Sequence, residues 1–115
     1  MTDRELLELA AKAAGLEFSD GRQLNPRVFL VREPGGEWQG WNPLTNDGDA
    51  LRLAVKLNLH IGVDADSAGA ITVEWDFDEG GNARSCIEEL APIGGDDYAA
   101  TRRAIVRAAA QLGQA

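Results

Sequence analysis

The chain has 115 residues, 44% hydrophobic and 26% charged, which suits one globular domain over residues 1–115 and excludes a disordered chain. It has no apolar run near the ~20 residues that span a bilayer, no secretory signal at its start and a single cysteine. These features predict a cytoplasmic protein without a disulfide, and the net charge is −8.

The first predicted element is a helix over residues 3–14. Residues 2–5, Thr-Asp-Arg-Glu, have the capping-box form, in which side chains of the first turn bond the free amides of the helix start. Apolar residues recur on one face, and Gly15 favours a left-handed stop. The alternating residues 16–19 then predict a short strand.

A hairpin is predicted next. Residues 27–32 contain four consecutive apolar positions between two arginines, a pattern typical of a strand covered on both faces. Residues 33–36, Glu-Pro-Gly-Gly, form a turn, and residues 37–41 can pair back as the second arm.

The second helix is predicted over residues 48–58. Residues 45–49 are rich in helix-capping types. Six apolar residues leave only a narrow polar stripe of Asp49, Arg52 and Lys56. The pattern therefore predicts a helix packed deeply against a sheet.

Two strands follow, at residues 60–63 and 71–78, joined by a turn at 64–69. The second alternates, with Ile71, Val73, Trp75 and Phe77 on one face and Thr72, Glu74, Asp76 and Asp78 on the other. Residues 79–82 form a turn, and a further strand is predicted over residues 83–90.

The last helix is predicted to begin at Asp96 or Asp97 and to end at Leu112, with Gly113 as its stop. Its core stripe is predicted to be Tyr98, Thr101, Ile105, Ala109 and Leu112. Three arginines are predicted to form a solvated helix face on its flank or outer side: Arg102, Arg103 and Arg107. The alternative is that they pair with the acidic 60–97 segment of the same or a neighbouring chain.

The order of elements predicts an α+β fold. Hairpin-length connections favour a mainly antiparallel sheet of about four to five strands. With three apolar-faced helices packed on it, the sheet is expected to form an α/β/α sandwich.

The negative charge is concentrated in one third of the chain. Residues 60–97 hold ten acidic residues and one base, a net charge of −9, whereas the rest sums to +1. Such a segment attracts basic partners and repels nucleic acid. The candidate partner-binding residues are Asp64, Asp66, Glu74, Asp76 and Asp78.

The same carboxylates suggest a divalent-metal site for phosphoryl chemistry as an alternative. Residues 64–69 resemble the start of a calcium loop, but Ala68 and Trp75 occupy two positions that need oxygen ligands. A solvated outer strand face also explains the alternating carboxylates. The sequence therefore predicts no resident metal and no cofactor.

Two tryptophans, one histidine and one cysteine are the other candidates. Trp38 and Trp41 are typical of protein interfaces and also of ordinary cores. His60 and Cys86 occur in no recognisable nucleophile setting. The sequence therefore predicts no catalytic residue.

Two segments carry a family resemblance. Residues 41–58, WNPLTNDGDALRLAVKLN, resemble the signature of the phage α/β/α sandwich domain family, and residues 99–110 are similar to its C-terminal helix. The resemblance implies a phage or prophage origin and the sandwich fold. It implies no activity and transfers no functional residue.

The leading functional hypothesis is a non-enzymatic phage or prophage accessory protein in the bacterial cytoplasm. It would bind a basic host or phage protein through its acidic surface, as a monomer or a homodimer and without contacting a membrane. The alternatives are a metal-dependent hydrolase or nuclease that uses the clustered carboxylates, and a purely structural homodimer.

Overall fold

A computed structural model of the protein describes residues 1–19, 29–64, 70–90 and 96–114, and the side chain of Asp64 is outside that description. These ranges form an α+β fold. Its elements in chain order are α1 (Asp3–Ala13), β1 (Glu17–Ser19), β2 (Leu30–Arg32), β3 (Gln39–Gly40), α2 (Asp47–Lys56), β4 (His60–Asp64), β5 (Ala70–Phe77), β6 (Ala83–Leu90) and α3 (Asp97–Gln114).

The strands pair in two antiparallel sheets, ordered β1-β2-β3 and β4-β5-β6. The predicted α+β class and antiparallel pairing are confirmed. A single sheet of four to five strands is not confirmed, because the described strands divide into two groups of three. The long α2 segment separates the two groups along the chain.

Helix α1 begins as its sequence predicts. The hydroxyl oxygen of Thr2 accepts a hydrogen bond from the backbone N–H of Glu5 at 3.2 Å, which satisfies one free amide of the first turn. Gly15 has φ of +73°, a left-handed conformation that glycine adopts without strain, and the helix has ended before it. The buried face of α1 consists of Leu6, Leu7, Ala10 and Ala11.

The first sheet contains the predicted hairpin. Its turn closes with a 2.8 Å bond from the N–H of Gly36 to the carbonyl oxygen of Glu33, and β3 pairs back on β2. Val31 is buried, while Leu30 and Arg32 are half-buried. One face of β2 is therefore covered, as predicted, and the other is covered only in part. Residues 27–28 of the predicted strand lie outside the described residues.

Helix α2 forms where predicted but is less buried. Ala50, Leu53 and Ala54 reach the core, whereas Leu51 and Val55 are 61% and 69% exposed. The prediction of a deeply packed helix is therefore wrong. Only one side of α2 contacts the core, and the apolar residues on its other side face solvent.

The start of α2 gives a direct test of its capping. The side-chain oxygen of Asn46 accepts the N–H of Asp49 at 2.9 Å. We expect Asn46→Ala to lower the free energy of unfolding by about 1 kcal/mol, because one amide of the first turn loses its partner. Urea unfolding measures the change. Asn46→Asp keeps the acceptor and should stay close to wild type, so an equal loss in both variants would contradict the capping role.

The second sheet has one buried and one exposed face. Ile71 and Val73 of the central strand are 0% exposed, and Trp75 and Ile87 lie beside them on the same face. Cys86 and Glu88, on the opposite face of β6, are exposed. An α/β/α sandwich is not confirmed, because within the described ranges the helices pack on one face of this sheet only.

Helix α3 lies between α1 and the second sheet. It also contacts α2, and its buried residues surround much of its circumference: Ala100, Ala104, Ile105, Val106, Ala108, Ala109, Ala110 and Gly113. Arg103 lies 3.6 Å from Asp3, and Gly113 lies against Leu9, so α1 and α3 run parallel. Small side chains on α3 let both neighbours approach closely.

Two predictions about α3 are wrong. The helix continues through Gly113 to Gln114 instead of stopping at the glycine. Gly113 serves close packing, since a methyl group there would lie 2.0 Å from the carbonyl oxygen of Leu9. Tyr98, predicted in the core stripe, is 71% exposed. The predicted core positions Ile105 and Ala109 are buried.

Candidate functional site

We call the exposed face of the second sheet the open face. The strand register determines which side chains lie next to one another on it. In one row across the three strands, Glu74 of β5 lies opposite His60 of β4 and Cys86 of β6. The next row brings Gly62, Thr72 and Glu88 together in the same way. The alternation of β5, which buries Ile71 and Val73, therefore places polar side chains on this face.

The structure separates the five predicted acidic residues. Glu74 is half-buried on the open face, and Asp76 is exposed one step further along β5, with φ of +59°. Asp78 instead closes the β5–β6 turn, where its Oδ1 accepts the N–H groups of Gly80 and Asn82, both at 2.9 Å. The side chain of Asp64 and all of Asp66 lie outside the described residues.

Other acids of the 60–97 segment are neutralised within the fold. Glu89 pairs with Arg107 and lies 3.9 Å from Arg103, so the arginines of α3 do meet the acidic segment. Asp96 accepts the N–H groups of Tyr98 and Ala99 at the start of α3. The net charge of −9 in the sequence therefore does not translate into one continuous acidic patch.

Three acidic residues of the open face have no ion pair among the described residues. In the ranges that the structure describes, no cation lies within 4.0 Å of the carboxylates of Glu74, Asp76 and Glu88, although Arg107 donates to the backbone carbonyl oxygen of Glu88 at 3.4 Å. Arg84, the one base of the segment, precedes Cys86 on β6 and is exposed. The uncompensated carboxylates outnumber this base, so the open face carries net negative charge.

The carboxylates of the described ranges do not assemble a metal site. Within residues 1–19, 29–64, 70–90 and 96–114, no three His, Cys, Asp or Glu side chains are placed to hold an ion. The calcium-like segment at 64–69 falls outside those ranges apart from the backbone of Asp64. The sequence prediction that this segment holds no metal is not tested by the structure.

His60 and Cys86 lie on different strands of the open face, with β5 between them. Two strand spacings separate them by about 9–10 Å, too far for a thiol and an imidazole to share a hydrogen bond. The His60 ring packs on Phe77 with its centroid 4.3 Å away. This arrangement is a packed edge of the sheet and not a nucleophile with its base.

The two tryptophans belong to the first sheet and its continuation. The guanidinium of Arg32 lies 4.5 Å from the Trp38 ring centroid, and Trp38 remains 42% exposed. Trp41 is half-buried and packs against the core. Trp38 and Trp41 therefore occupy a different sheet from Glu74, and their role in partner binding stays a prediction.

Sequence reasoning missed an apolar surface at the β4 edge of the second sheet, on the side opposite the open face. It consists of Leu51 and Val55 on α2 and of Ile61 and Val63 on β4, all at least 39% exposed. The signal was present in α2, which has more apolar positions than one packed face of a helix can bury. The exposure of β4 depends on tertiary packing and had no local signal.

Comparison with known proteins leaves the site to be interpreted from its own geometry. No family model, no curated protein and no solved structure matches the chain. Across the described residues, no helix has both the length and the apolar character needed to cross a bilayer. The open face and the apolar surface at the β4 edge are the two features that bear on function.

Proposed function

We propose that this chain is a non-enzymatic binding protein that docks a basic region of another protein on the open face. The observation that carries the proposal is a set of carboxylates, at Glu74, Asp76 and Glu88, that have no ion pair among the described residues and lie on a sheet face that no described helix or strand covers. Several carboxylates elsewhere in the fold are matched by cations, among them Asp47 with Arg102 at 2.6 Å and Glu33 with Lys56 at 2.9 Å.

Charge complementarity supports a basic partner over an acidic one. A carboxylate on an exposed sheet face gains from a lysine or arginine of the partner and repels phosphate. The flat rows of the open face suit an extended basic segment or a basic sheet surface. Because each exposed ion pair contributes little alone, binding requires several of these carboxylates together.

The cellular setting of the proposal comes from the family resemblance of residues 41–58 and 99–110. On that basis the protein is a phage or prophage accessory protein acting in the bacterial cytoplasm on a host or phage partner. These elements are independent of the binding chemistry, so the open face can be tested without them.

The test uses a hexalysine peptide as a probe of basic segments, with binding followed by amide chemical shifts of the full chain. We expect shifts at β5 and β6, and a double variant Glu74→Gln/Glu88→Gln that binds about fivefold more weakly. High salt should abolish the interaction. Capture from a bacterial lysate, repeated with the same variant, then identifies the natural partner.

The matched control removes two exposed carboxylates elsewhere, in Glu8→Gln/Glu37→Gln. It lowers the total charge equally but leaves the open face intact. Peptide binding should change less than twofold in this control. Equal weakening in both double variants, or shifts that avoid β5 and β6, would show that the open face is not the docking surface.

A further inference from the structure

A second surface of the molecule is apolar. Leu51 and Val55 lie one turn apart on α2 and are 61% and 69% exposed, and Ile61 and Val63 of β4 are 39% and 61% exposed. Leu51, Val55 and Ile61 line one groove. We call these four residues the α2–β4 strip. Contiguous exposed apolar side chains of this kind mark an interaction surface.

The strand that carries half of the strip is an edge strand. β4 pairs with β5 on one side, and no described strand pairs with its other side. An edge strand presents unpaired backbone N–H and C=O groups that can accept a further strand. The occupant of the strip therefore needs both an extended backbone and apolar side chains.

We propose that the occupant is a second copy of this chain, paired antiparallel through β4 about a two-fold axis at Gly62. A two-fold interface requires a surface that is complementary to itself. In this register Ile61 lies opposite Val63 of the partner subunit, and Gly62 lies opposite its own copy. The apolar residues of β4 therefore face each other on the side of the sheet that buries Ile71 and Val73.

The register also suits the charges of the strand ends. His60 lies opposite Asp64 of the partner subunit, so the acidic positions of the two copies stay at opposite ends of the paired segment. The cations that flank the strip on α2 are matched within each chain: Arg52 with Asp49 at 2.6 Å, and Lys56 with Glu33 at 2.9 Å. Approach of the two helices therefore brings no unmatched like charges together.

The two-fold axis runs perpendicular to the joined six-stranded sheet. Both copies of α2 then lie on the same side of that sheet, and Leu51 and Val55 face their counterparts across the axis. Pairing through β4 thus covers all four residues of the α2–β4 strip in one step. It leaves the open face uncovered, so the dimer and the docking of a basic partner can be tested separately.

The first experiment measures mass in solution by analytical ultracentrifugation. We expect the wild-type chain to be a dimer whose dissociation constant falls as salt rises, because each copy carries a charge of −8 and salt screens the repulsion. Val63→Lys and Leu51→Lys should each raise the dissociation constant at least about tenfold, since each places a charge in the interface.

The matched control is Leu90→Lys, at a residue 64% exposed on the opposite edge strand, β6. It should leave dimerisation unchanged, and circular dichroism should show that all three variants are folded. A wild-type chain that stays monomeric up to roughly 100 μM would overturn the proposal. A dimer with a micromolar dissociation constant is almost fully formed at that concentration. Equal weakening by Leu90→Lys would overturn it as well.

The second experiment tests the register by disulfide trapping. Ile61→Cys and Val63→Cys are made separately, each with Cys86→Ser, and are oxidised alone and mixed. Directly opposite residues have Cα atoms about 4.5–5.5 Å apart and can form a disulfide, whereas diagonal neighbours about 7–8 Å apart cannot. We expect the mixed disulfide to dominate. If either variant alone formed disulfide-linked dimers as fast as the mixture of the two variants does, the proposed register would be wrong.

Discussion

We expect Gly113→Ala to lower the free energy of unfolding by about 2–4 kcal/mol, although alanine favours helices over glycine by up to about 1 kcal/mol. The added methyl group would lie 2.0 Å from the carbonyl oxygen of Leu9 and 2.8 Å from its carbonyl carbon. Both are backbone atoms of α1 and cannot rotate away. The helices α1 and α3 must therefore separate, which loosens the packing between them.

Urea unfolding monitored by tryptophan fluorescence measures this loss. Gly48→Ala is the control, because glycine 48 also lies in a helix, but a methyl group there meets side-chain atoms of Asn46 and Arg52 at 3.2 and 3.3 Å. Arg52 can shift and Asn46 needs to move by only a few tenths of an ångström while keeping its cap, so the control should change stability by less than about 1 kcal/mol. Equal stability of Gly113→Ala and wild type would refute the close α1–α3 contact.

A similarly large effect is expected for Leu7→Ala, at about 3 kcal/mol of lost stability. Leu7 is 0% exposed in the core that α1 shares with α3. Removing its side chain takes away buried apolar contact and leaves a cavity among residues already held by both helices.

Leu51→Ala is the matched control for this prediction. It removes the same side chain from a helix, at a position 61% exposed. We expect a change within about 0.5 kcal/mol at concentrations where the chain is monomeric. Similar losses in the two variants would mean that α2 is buried as deeply as its sequence alone suggests, against the exposure of the α2–β4 strip.

Features decided by local sequence were predicted well. The cap at Thr2, the turn at residues 33–36 and the alternation of β5 each depend on residues within a few positions of one another. The strand Ala83–Leu90 also forms with the bounds expected from its flanking turn. Interactions between residues close in the sequence are sufficient to determine these elements.

Features decided by distant neighbours were missed. Gly113 reads locally as a helix stop, and only the backbone of α1, about a hundred residues earlier, reveals its packing role. Tyr98 has the spacing of a core residue but lies beyond the cover of its neighbours. The division of the strands into two sheets likewise depends on where α2 and α3 pack, which no local pattern encodes.

For the candidate site too, local patterns were predicted correctly and contacts between separate elements were missed. Alternation along β5 correctly separates Glu74 from the buried Val73. It does not show that Asp78 closes a turn or that Glu89 meets Arg107, because those contacts join separate elements. The sequence charge therefore overstates the acidic surface, because among the described residues only part of it, on the open face, has no ion-pair partner.

The central position of α3 affects which apolar surfaces the chain exposes while it is being synthesised. The helix covers Ile71 and Val73 on one side and α1 on the other, yet the ribosome makes it after both. Until α3 emerges, the nascent sheet and the amino-terminal helix expose apolar surfaces that have nothing to cover them. Nascent chains halted before residue 97 should therefore recruit chaperones, and release of those chaperones should coincide with the appearance of α3.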